Sequence, residues 1–559
     1  MLPCLIFEDE HLLVVNKPAG LNTHAPSPYA GDGLYDWLRH REPRWAALAI
    51  IHRLDKETSG VMVFAKTPQA NRSLTAQFTA RVVRKKYLLL TDRPARQKEF
   101  VVKSTLVRRG DRYLSQPLTR GGGIAETRFR SVRMPHVPGK TADHWHWFEA
   151  EPLTGRTHQI RVHAAANGIP ILGDTLYGGT PAPRVCLQAV ELQLKHPASG
   201  EVMQFSVPID LPPTGIQSYA AAQTKGGLLW TTASWPSLAL RQATIEGEET
   251  QAYRLVHGAS DGCPGWYLDR VGDFLLSQSE SPLTAAQQNE LEHFAATLAR
   301  QGAYHKLLAR QPGQVQRLAA SPRLVFGKPA PERFAVRENG VAYELSFSEG
   351  YSMGLFLDQR DNRRRLLSRH VAAGFPLCLP PPASRQWEAL NTFAYTCGFS
   401  VCAARAGARV TSIDLSKRYL EWGRRNFRLN QLDPEQHNFI HGDTLDWLRR
   451  LEKKKRPFDV ILLDPPTFSQ SKTSGIFRAE KDYEKLITAA LPLLPAGGVL
   501  FASTNAAAWP PEEFIAAIER AIRRARRKII QRHYVPQPLD FPVSRAEPAY
   551  LKTVWLRVE

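Results

Sequence analysis

"RVTSIDLSKRYLEWGRRNFRLN", residues 409–430, reads as a short β-strand that closes on an acidic residue and passes at once into an amphipathic helix. The pairing recurs downstream. "HNFIHGD" precedes "TLDWLRRLEKKK", and "FDVILLDPP" precedes the helix-forming "KDYEKLITAALPLL", with "GGVLFASTN" behind it. Strands alternating with helices of this length predict βαβ units and a parallel sheet covered on both faces, from "WEALNTFAYTCGFS" onward. Ligands of such sheets gather beyond the carboxyl ends of the strands, and Asp414, Asp443 and Asp464 fall there.

The sharpest signal in this half is "FDVILLDPPTFSQSK", residues 458–472. An apolar strand ends in Asp464, and Pro465 and Pro466 then hold the backbone extended, unable to enter a helix. Carbonyls held outward in this way can accept from a substrate amine or ring edge, and Phe468 offers a stacking face. A strand that merely runs into a proline-rich loop is the plain alternative for this tripeptide alone. The neighbouring strand ends argue further. Asp414 can accept from ribose hydroxyls, and Asp443 is placed for the adenine side of a nucleoside. "NTFAYTCGFSVCAARAG" contains no GxGxxG, so a pyrophosphate is poorly served, and S-adenosylmethionine (SAM) suits these acids better.

The N-terminal part follows a different grammar. "HLLVVNKP", "VMVFAKT", "KKYLLL", "FVVKSTLVRR", "HWFEAEPL" and "EVMQFSVPI" are short β-rich runs separated by turn residues, as in an α+β domain on a mixed or antiparallel sheet. "DLPPTGIQSYAAAQTKGG" then mixes Pro, Gly, Ser and Ala without periodicity, the pattern of a linker. The expected division is a domain at 1–212, a linker at 213–230, a small accessory region at 231–345 and an α/β Rossmann-like domain at 346–559.

Composition bounds the partners. A chain of 559 residues with 43% hydrophobic content has material for roughly two to four packed domains. Its 73 Lys and Arg against 53 Asp and Glu leave a net charge of +20, spread along the chain, which favours a polyanion. A solvated basic surface is the bland reading of the same charge. The six cysteines form no CxxC pair or His/Cys group at metal spacing, so a reducing compartment is expected and no metal site. The N-terminus turns acidic after a very short apolar run, and no stretch of about 18 apolar residues occurs. Neither a signal peptide nor a membrane span is expected, and the cytoplasm is the expected location.

"IHRLDKETSG", residues 51–60, places Asp55 in a turn ahead of a strand. Alone, it reads as an Asx turn or a cap. Tyr87 in "KKYLLL" sits on a strand in a basic context, and Arg156, His158, Arg161 and His163 crowd "GRTHQIRVH". Alternation would put Arg161 and His163 on one face of a strand or one side of a turn, within reach of a buried carboxylate or a phosphate. A buried Asp needs such a partner to stay ionised as nucleophile or base.

"HRLDKETSG", "KKY" and "GRTHQIRVH…ILGDTLYG", with the opening "IFEDEHLLVVNKPAGLNTH" and the closing "LKHPASGEVMQFSVPID", resemble the RluA-type RNA pseudouridine synthases across nearly all of residues 5–212. The resemblance implies isomerisation of a uridine in RNA with no metal or organic cofactor. It makes Asp55 the essential carboxylate, acting as nucleophile at ribose carbon 1′ or as base at carbon 2′. Tyr87 would stack on the flipped base, and Arg161 would pair with Asp55. Arg53, Arg156 and His158 are the implied RNA contacts, Arg53 helping to hold the base out of the stack.

"YSMGLFLDQRDNRRRL", "LNTFAYTCGFS", "IDLSKRYLEWGRRNFRLN" and "LLDPPTFSQSK" resemble class I SAM-dependent methyltransferases of 23S ribosomal RNA, the RlmK/RlmI-like group. "YRLVHGASDGCPGWYLDRVGD" is similar to the accessory, RNA-binding region that precedes their core. The resemblance implies SAM contacts at Gln359, Arg360, Phe393, Tyr395, Asp414, Asp443 and Asp464. Asp464, Pro465, Pro466 and Phe468 become the loop facing the target base. Cys397 stands where that group usually has Gly.

Methylation at carbon 5 of a pyrimidine needs a thiolate that adds to carbon 6. "DPPTFSQSK" and "FASTN" contain no cysteine, which favours a nitrogen target, guanine N7 by the resemblance. The expected protein is a bifunctional RNA-modifying enzyme acting on large-subunit rRNA, without DNA or membrane partners and of undetermined oligomeric state. Rival readings are one active half with the other as an RNA-binding module, methylation of DNA or protein, and a non-catalytic ribosome-assembly factor.

Overall fold

Strands buried on both faces must be apolar throughout, and Val460–Leu463 and Gly498–Thr504 have no position open to solvent. The computed structural model describes residues 2–118, 123–133, 145–211, 236–308, 321–349, 352–378, 386–471 and 475–559. It places these strands at the centre of a seven-stranded sheet. The order across it is Asn438–His441, Arg409–Asp414, Glu388–Thr392, Val460–Leu463, Gly498–Thr504, Lys552–Val558, Ile529–Val535. The first five are parallel, and Lys552–Val558 runs antiparallel to both of its neighbours. Chain order reverses between Glu388–Thr392 and Val460–Leu463, so the crevice of this sheet opens beyond Thr392 and Leu463.

Helix Lys417–Leu429 shows why the opening stretch folds as it does. The Ser416 hydroxyl caps it by accepting from the Tyr419 N–H at 3.3 Å. Leu420, Trp422, Gly423, Asn426 and Phe427 form its buried stripe.

The N-terminal sheet has eleven strands, nearly all antiparallel among the described residues. The exception is the pairing of Ser59–Ala65 with Leu187–Lys195, which is parallel. Residues Gln159–Ala166, expected as strand or turn, form a helix instead. The i, i+2 spacing therefore separates Arg161 from His163. The His163 ring turns to the sheet, with Nε2 3.0 Å from Ser104 Oγ and Nδ1 2.9 Å from Thr127 Oγ1. Three consecutive Ala in "RVHAAA" favour helix here, and a short segment holding both apolar and basic residues does not distinguish the two periods.

A five-stranded sheet, Ala252–His257 to Arg323–Gly327, and a hairpin, Phe334–Glu338 with Val341–Leu345, lie between these two units. The expected linker falls outside the described residues. The hairpin shares one apolar core with the seven-stranded sheet, Val336 and Tyr343 packing in the same cluster as Val401 and Trp555. It is tied there by charge. Arg363 donates from Nε and Nη2 to the two carboxylate oxygens of Glu338 at 2.6 and 2.7 Å, both side chains being almost fully buried. Removing one partner strands a buried charge, so Glu338→Ala is expected to cost about 3–5 kcal/mol. Urea titration should show it as a lowered midpoint for the C-terminal unit.

Candidate active sites

The loop that carries Asp55 joins Ala49–Ile50 to Ser59–Ala65 and is held from below. The Lys17 ammonium donates to the carbonyls of Pro18, Leu21 and Lys56 at 2.9, 2.7 and 3.2 Å, and the Gly20 N–H donates to Lys56 O at 2.8 Å. Lys17 is fully buried, and burial brings its pKa down to about 7. Three carbonyls facing three N–H groups oppose that loss of the proton.

Across from the loop, Arg161 is clamped by Asp174, Nε to Oδ2 at 2.7 Å and Nη2 to Oδ1 at 2.8 Å. Its remaining Nη1 lies 3.0 Å from Glu57 Oε2 and 3.7 Å from Asp55 Oδ2. Burial raises the Asp55 pKa, and the charges of His158 and Arg161 oppose that rise. His158 sits in a left-handed backbone conformation, φ 55°, with Nδ1 2.8 Å from the Tyr177 hydroxyl. Tyr87 lies on strand Arg84–Thr91, its phenol pushed upward by burial and by the Asp55 charge. A cleft of about 1940 Å³ exposes Arg53, Asp55, Tyr87, Arg156, His158 and Arg161 along one wall system. The arrangement presents one carboxylate, one fixed cation and one aromatic face to a ligand the size of a nucleotide.

The second site lies at the crevice of the parallel sheet. Between strand Glu388–Thr392 and helix Gly398–Arg405 the backbone takes positive φ at Phe393, Tyr395 and Cys397, 54°, 50° and 64°. Glycine is the residue that adopts this most readily, so the substitution at Cys397 is accommodated in the left-handed well rather than avoided. The Asp414 carboxylate accepts from the backbone N–H of Tyr395 and of Ser416, each at 2.8 Å, which pins the loop to the strand end. Asp443 caps helix Thr444–Lys453 by accepting from the Asp446 N–H at 3.1 Å.

Asp464 accepts from Gln359 Nε2 at 3.3 Å to each oxygen, and the same amide donates to Ser503 Oγ at 2.8 Å. Burial raises the Asp464 pKa to about 6, aided by the nearby Asp358, which in turn accepts from the Tyr550 hydroxyl at 2.8 Å. The Tyr483 hydroxyl lies 3.0 Å from Leu463 O and 2.8 Å from Ser503 O, its one proton shared between them, and accepts the Ser503 N–H, fastening the two strand ends that flank Asp464. Beyond the prolines, Phe468 is 55% exposed on a hairpin that pairs Phe468–Ser471 with Gly475–Arg478.

Residues 11–166 match the family model described as RNA pseudouridylate synthase, and residues 282–557 that of S-adenosylmethionine-dependent methyltransferase. A ribosomal RNA large subunit methyltransferase of Deinococcus radiodurans is 30% identical over 346 residues, covering 59% of this chain and 79% of that protein. This chain belongs to that methyltransferase family and carries a pseudouridine synthase domain at its N-terminal side. The ribosomal RNA large subunit methyltransferase I of Aeromonas salmonicida is 31% identical over 322 residues, 57% of this chain and 77% of that one. Among solved structures, a SAM-dependent methyltransferase from Streptococcus mutans matches 57% of this chain and 78% of its own at 29% identity and TM-score 0.48. Human RNA pseudouridylate synthase domain containing 4 matches 37% of this chain and 88% of its own at 26% identity and TM-score 0.29.

The cofactor of the methyltransferase is SAM, which supplies the methyl group. The donor set suits it: each Asp414 oxygen keeps lone pairs for ribose hydroxyls, and Phe393 and Tyr395 line the same turn with aromatic rings. The structure brings Gln359 to Asp464 but not Arg360. That guanidinium is buried on the other side of the helix, paired bidentately with Asp540 at 2.9 and 2.5 Å. Adjacent residues at a helix start point about 100° apart, which the quoted block does not reveal. Sequence reading also missed Asp174, Glu57, Tyr177, Asp358 and Tyr550. Asp174 was inside the quoted "ILGDTLYG", and the Arg161–Asp174 pairing needed only the recognition that a buried Arg requires a carboxylate.

Because the folded-state pKa of Asp464 is raised above its ordinary 3.8, the stability it contributes is present at low pH and is lost as pH climbs through about 6. Asp464→Asn is therefore expected to be more stable than the parent at pH 7 by roughly 2–3 kcal/mol, with the gap closing below pH 4. Urea midpoints compared at pH 4 and pH 7 check this, and equal midpoints at pH 7 would contradict it.

Proposed function

We propose that the chain converts one uridine of large-subunit rRNA to pseudouridine and methylates one guanine of the same RNA at N7, in the cytoplasm. In the synthase domain Asp55 acts on the ribose, Tyr87 stacks on the extruded uracil, and Arg161, oriented by Asp174, holds the carboxylate charged. Arg53, Arg156 and His158 contact the RNA around the flipped nucleotide. In the methyltransferase domain Phe393, Tyr395, Asp414, Asp443 and Gln359 hold the cofactor. Asp464, Pro465, Pro466 and Phe468 face the base.

The observation that carries the nitrogen target is the position of sulfur. None of the six cysteines forms a disulfide, and none lies in the loops around Asp464 and Thr504. Cys397 and Cys402 belong to this domain, but burial pushes both thiols up to about 12, far from thiolate at neutral pH. Cys402 faces the Tyr343 hydroxyl at 3.1 Å, and Cys397 faces Gly423 of the neighbouring helix. Carbon-5 methylation has no nucleophile in this arrangement, whereas a purine ring nitrogen is itself the nucleophile and asks only for orientation. Among the described residues no helix is long and apolar enough to cross a membrane.

Nucleoside digestion of rRNA treated with the purified chain and SAM should yield pseudouridine and 7-methylguanosine by mass spectrometry. Appearance of 5-methylcytidine in place of the latter would refute the nitrogen target. Asp55→Asn should lower pseudouridine formation by about 10³-fold or more while methylation persists, and Asp464→Ala should do the reverse.

A further inference from the structure

Residues 22–35 form a closed loop whose two ends meet different domains. Its base is drawn together by Leu34 N–H donating to Asn22 O and Tyr35 N–H donating to Thr23 O, both at 2.9 Å. Gly33 lies so close against the His24 backbone that a Cβ would collide with it. The Ala25 N–H donates to Asp36 Oδ2, which secures the base to the following helix Leu34–Arg41. Short surface loops with joined ends and internal bonds move as units rather than residue by residue.

At the base, Thr23 grips the catalytic loop twice. Its hydroxyl donates to Leu54 O at 2.8 Å and accepts from the Leu54 N–H at 3.2 Å, one residue before Asp55. Asn22, Thr23, His24 and Pro26 also line the cleft that contains Asp55. At the tip, the contacts belong to the methyltransferase. The Tyr29 ring meets Tyr534 edge-on at 5.1 Å, and Tyr29 packs against the apolar cluster that includes Ile515, Ile518 and Val554. A Cβ at Gly31 would lie 4.0 Å from Val543 Cγ2 of the methyltransferase. The helix that leaves the loop continues the junction, with the His40 and His533 rings 4.4 Å apart and His40 Nδ1 accepting from the Ala373 N–H at 3.2 Å.

We infer that the methyltransferase domain is a structural part of the pseudouridine site: seated against Tyr534, the loop 22–35 fixes Thr23 and through it the Asp55 backbone, so uridine isomerisation depends on that docking. Thr23 is then a positioning residue, and Tyr29 and Tyr534 are the anchor that keeps it in place. The dependence runs one way. The contacts of Tyr534 lie on the edge strand Ile529–Val535, two strands from the nearest strand end that flanks Asp464. This inference rests on the reading of Asp55 as the uridine-isomerising carboxylate.

The test uses the full chain, rRNA and SAM, with pseudouridine and methyl incorporation read from the same reactions. Tyr29→Ala and Tyr534→Ala should each lower kcat for pseudouridine by about 10-fold or more, since a loop displaced by about an ångström loses alignment at the reacting atoms. KM for the RNA and the methylation rate should stay within about twofold. Tyr534→Phe should restore kcat, because the Tyr534 hydroxyl has no hydrogen-bond partner among the described residues. Pseudouridine rates unchanged in both alanine variants overturn the inference. So does a loss that Tyr534→Phe fails to restore. Should Tyr534→Ala impair methylation as well, Tyr29→Ala decides the matter, since Tyr29 lies on a synthase loop. A parent chain that makes no pseudouridine, or an Asp55→Asn chain that still does, instead refutes the reading of Asp55 and takes the inference with it.

Discussion

The clamp of Asp174 on Arg161 is the interaction on which the N-terminal half is built. A guanidinium spends two of its donors on one buried carboxylate, so its plane and the direction of its remaining Nη1 are set before any substrate arrives. That Nη1 is the fixed positive charge beside Asp55, in a place where burial alone would favour the neutral acid. Helix Gln159–Ala166 carries Arg161 and, through the left-handed His158 at its start, a second group whose charge acts on the same carboxylate. The sheet, the loop held by Lys17 and this short helix all converge on one carboxylate in a wide cleft, where nearby positive charge opposes the neutralising effect of burial.

The methyltransferase half meets a similar constraint differently. Among the described residues no guanidinium is ion-paired with Asp464. It is held by the Gln359 amide and lies in the field of a second buried acid, Asp358, which leaves its pKa near 6. A carboxyl poised there is a poor stabiliser, and its raised pKa suits the contact to a base edge proposed for it. The charges that do lock this half together, Arg363 with Glu338 and Arg360 with Asp540, lie away from the crevice and fasten the accessory hairpin and the C-terminal segment to the core.

Between the halves the junction adds polar contacts to the apolar seat of Tyr29 on Tyr534. Arg364 bridges to Glu42, Arg41 approaches Glu246 at 3.7 Å, and His40, His370 and His533 share the surroundings of Arg365. Burial and these like charges depress the pKa of His40 to about 4 and lower those of His370 and His533, so the three rings pack as neutral imidazoles. Such an interface is specific through geometry more than through apolar area.

Much of this was legible in the chain. Period and punctuation were enough for the parallel sheet, because strands buried on both faces must be apolar and strand ends must hold the ligand acids; Asp414 and Asp464 stand where those rules put them. The three separated blocks around Asp55, Tyr87 and Arg161 likewise identified a cleft. What sequence could not contain was pairing at a distance. Asp174 and Arg161 are close in the chain, yet their bidentate contact depends on a helix that short-range pattern did not distinguish from a strand. Gln359 and Arg360 are adjacent, yet one meets Asp464 and the other Asp540, because helical rotation turns neighbours about 100° apart. The link from Tyr534 to Asp55 crosses hundreds of residues. The sequence by itself determined the fold classes and the acids at their strand ends, since local periodicity and steric rules act within a few residues. Only the tertiary structure decided which carboxylate each cation serves and which domain steadies which site, since those are set by the packing of distant segments.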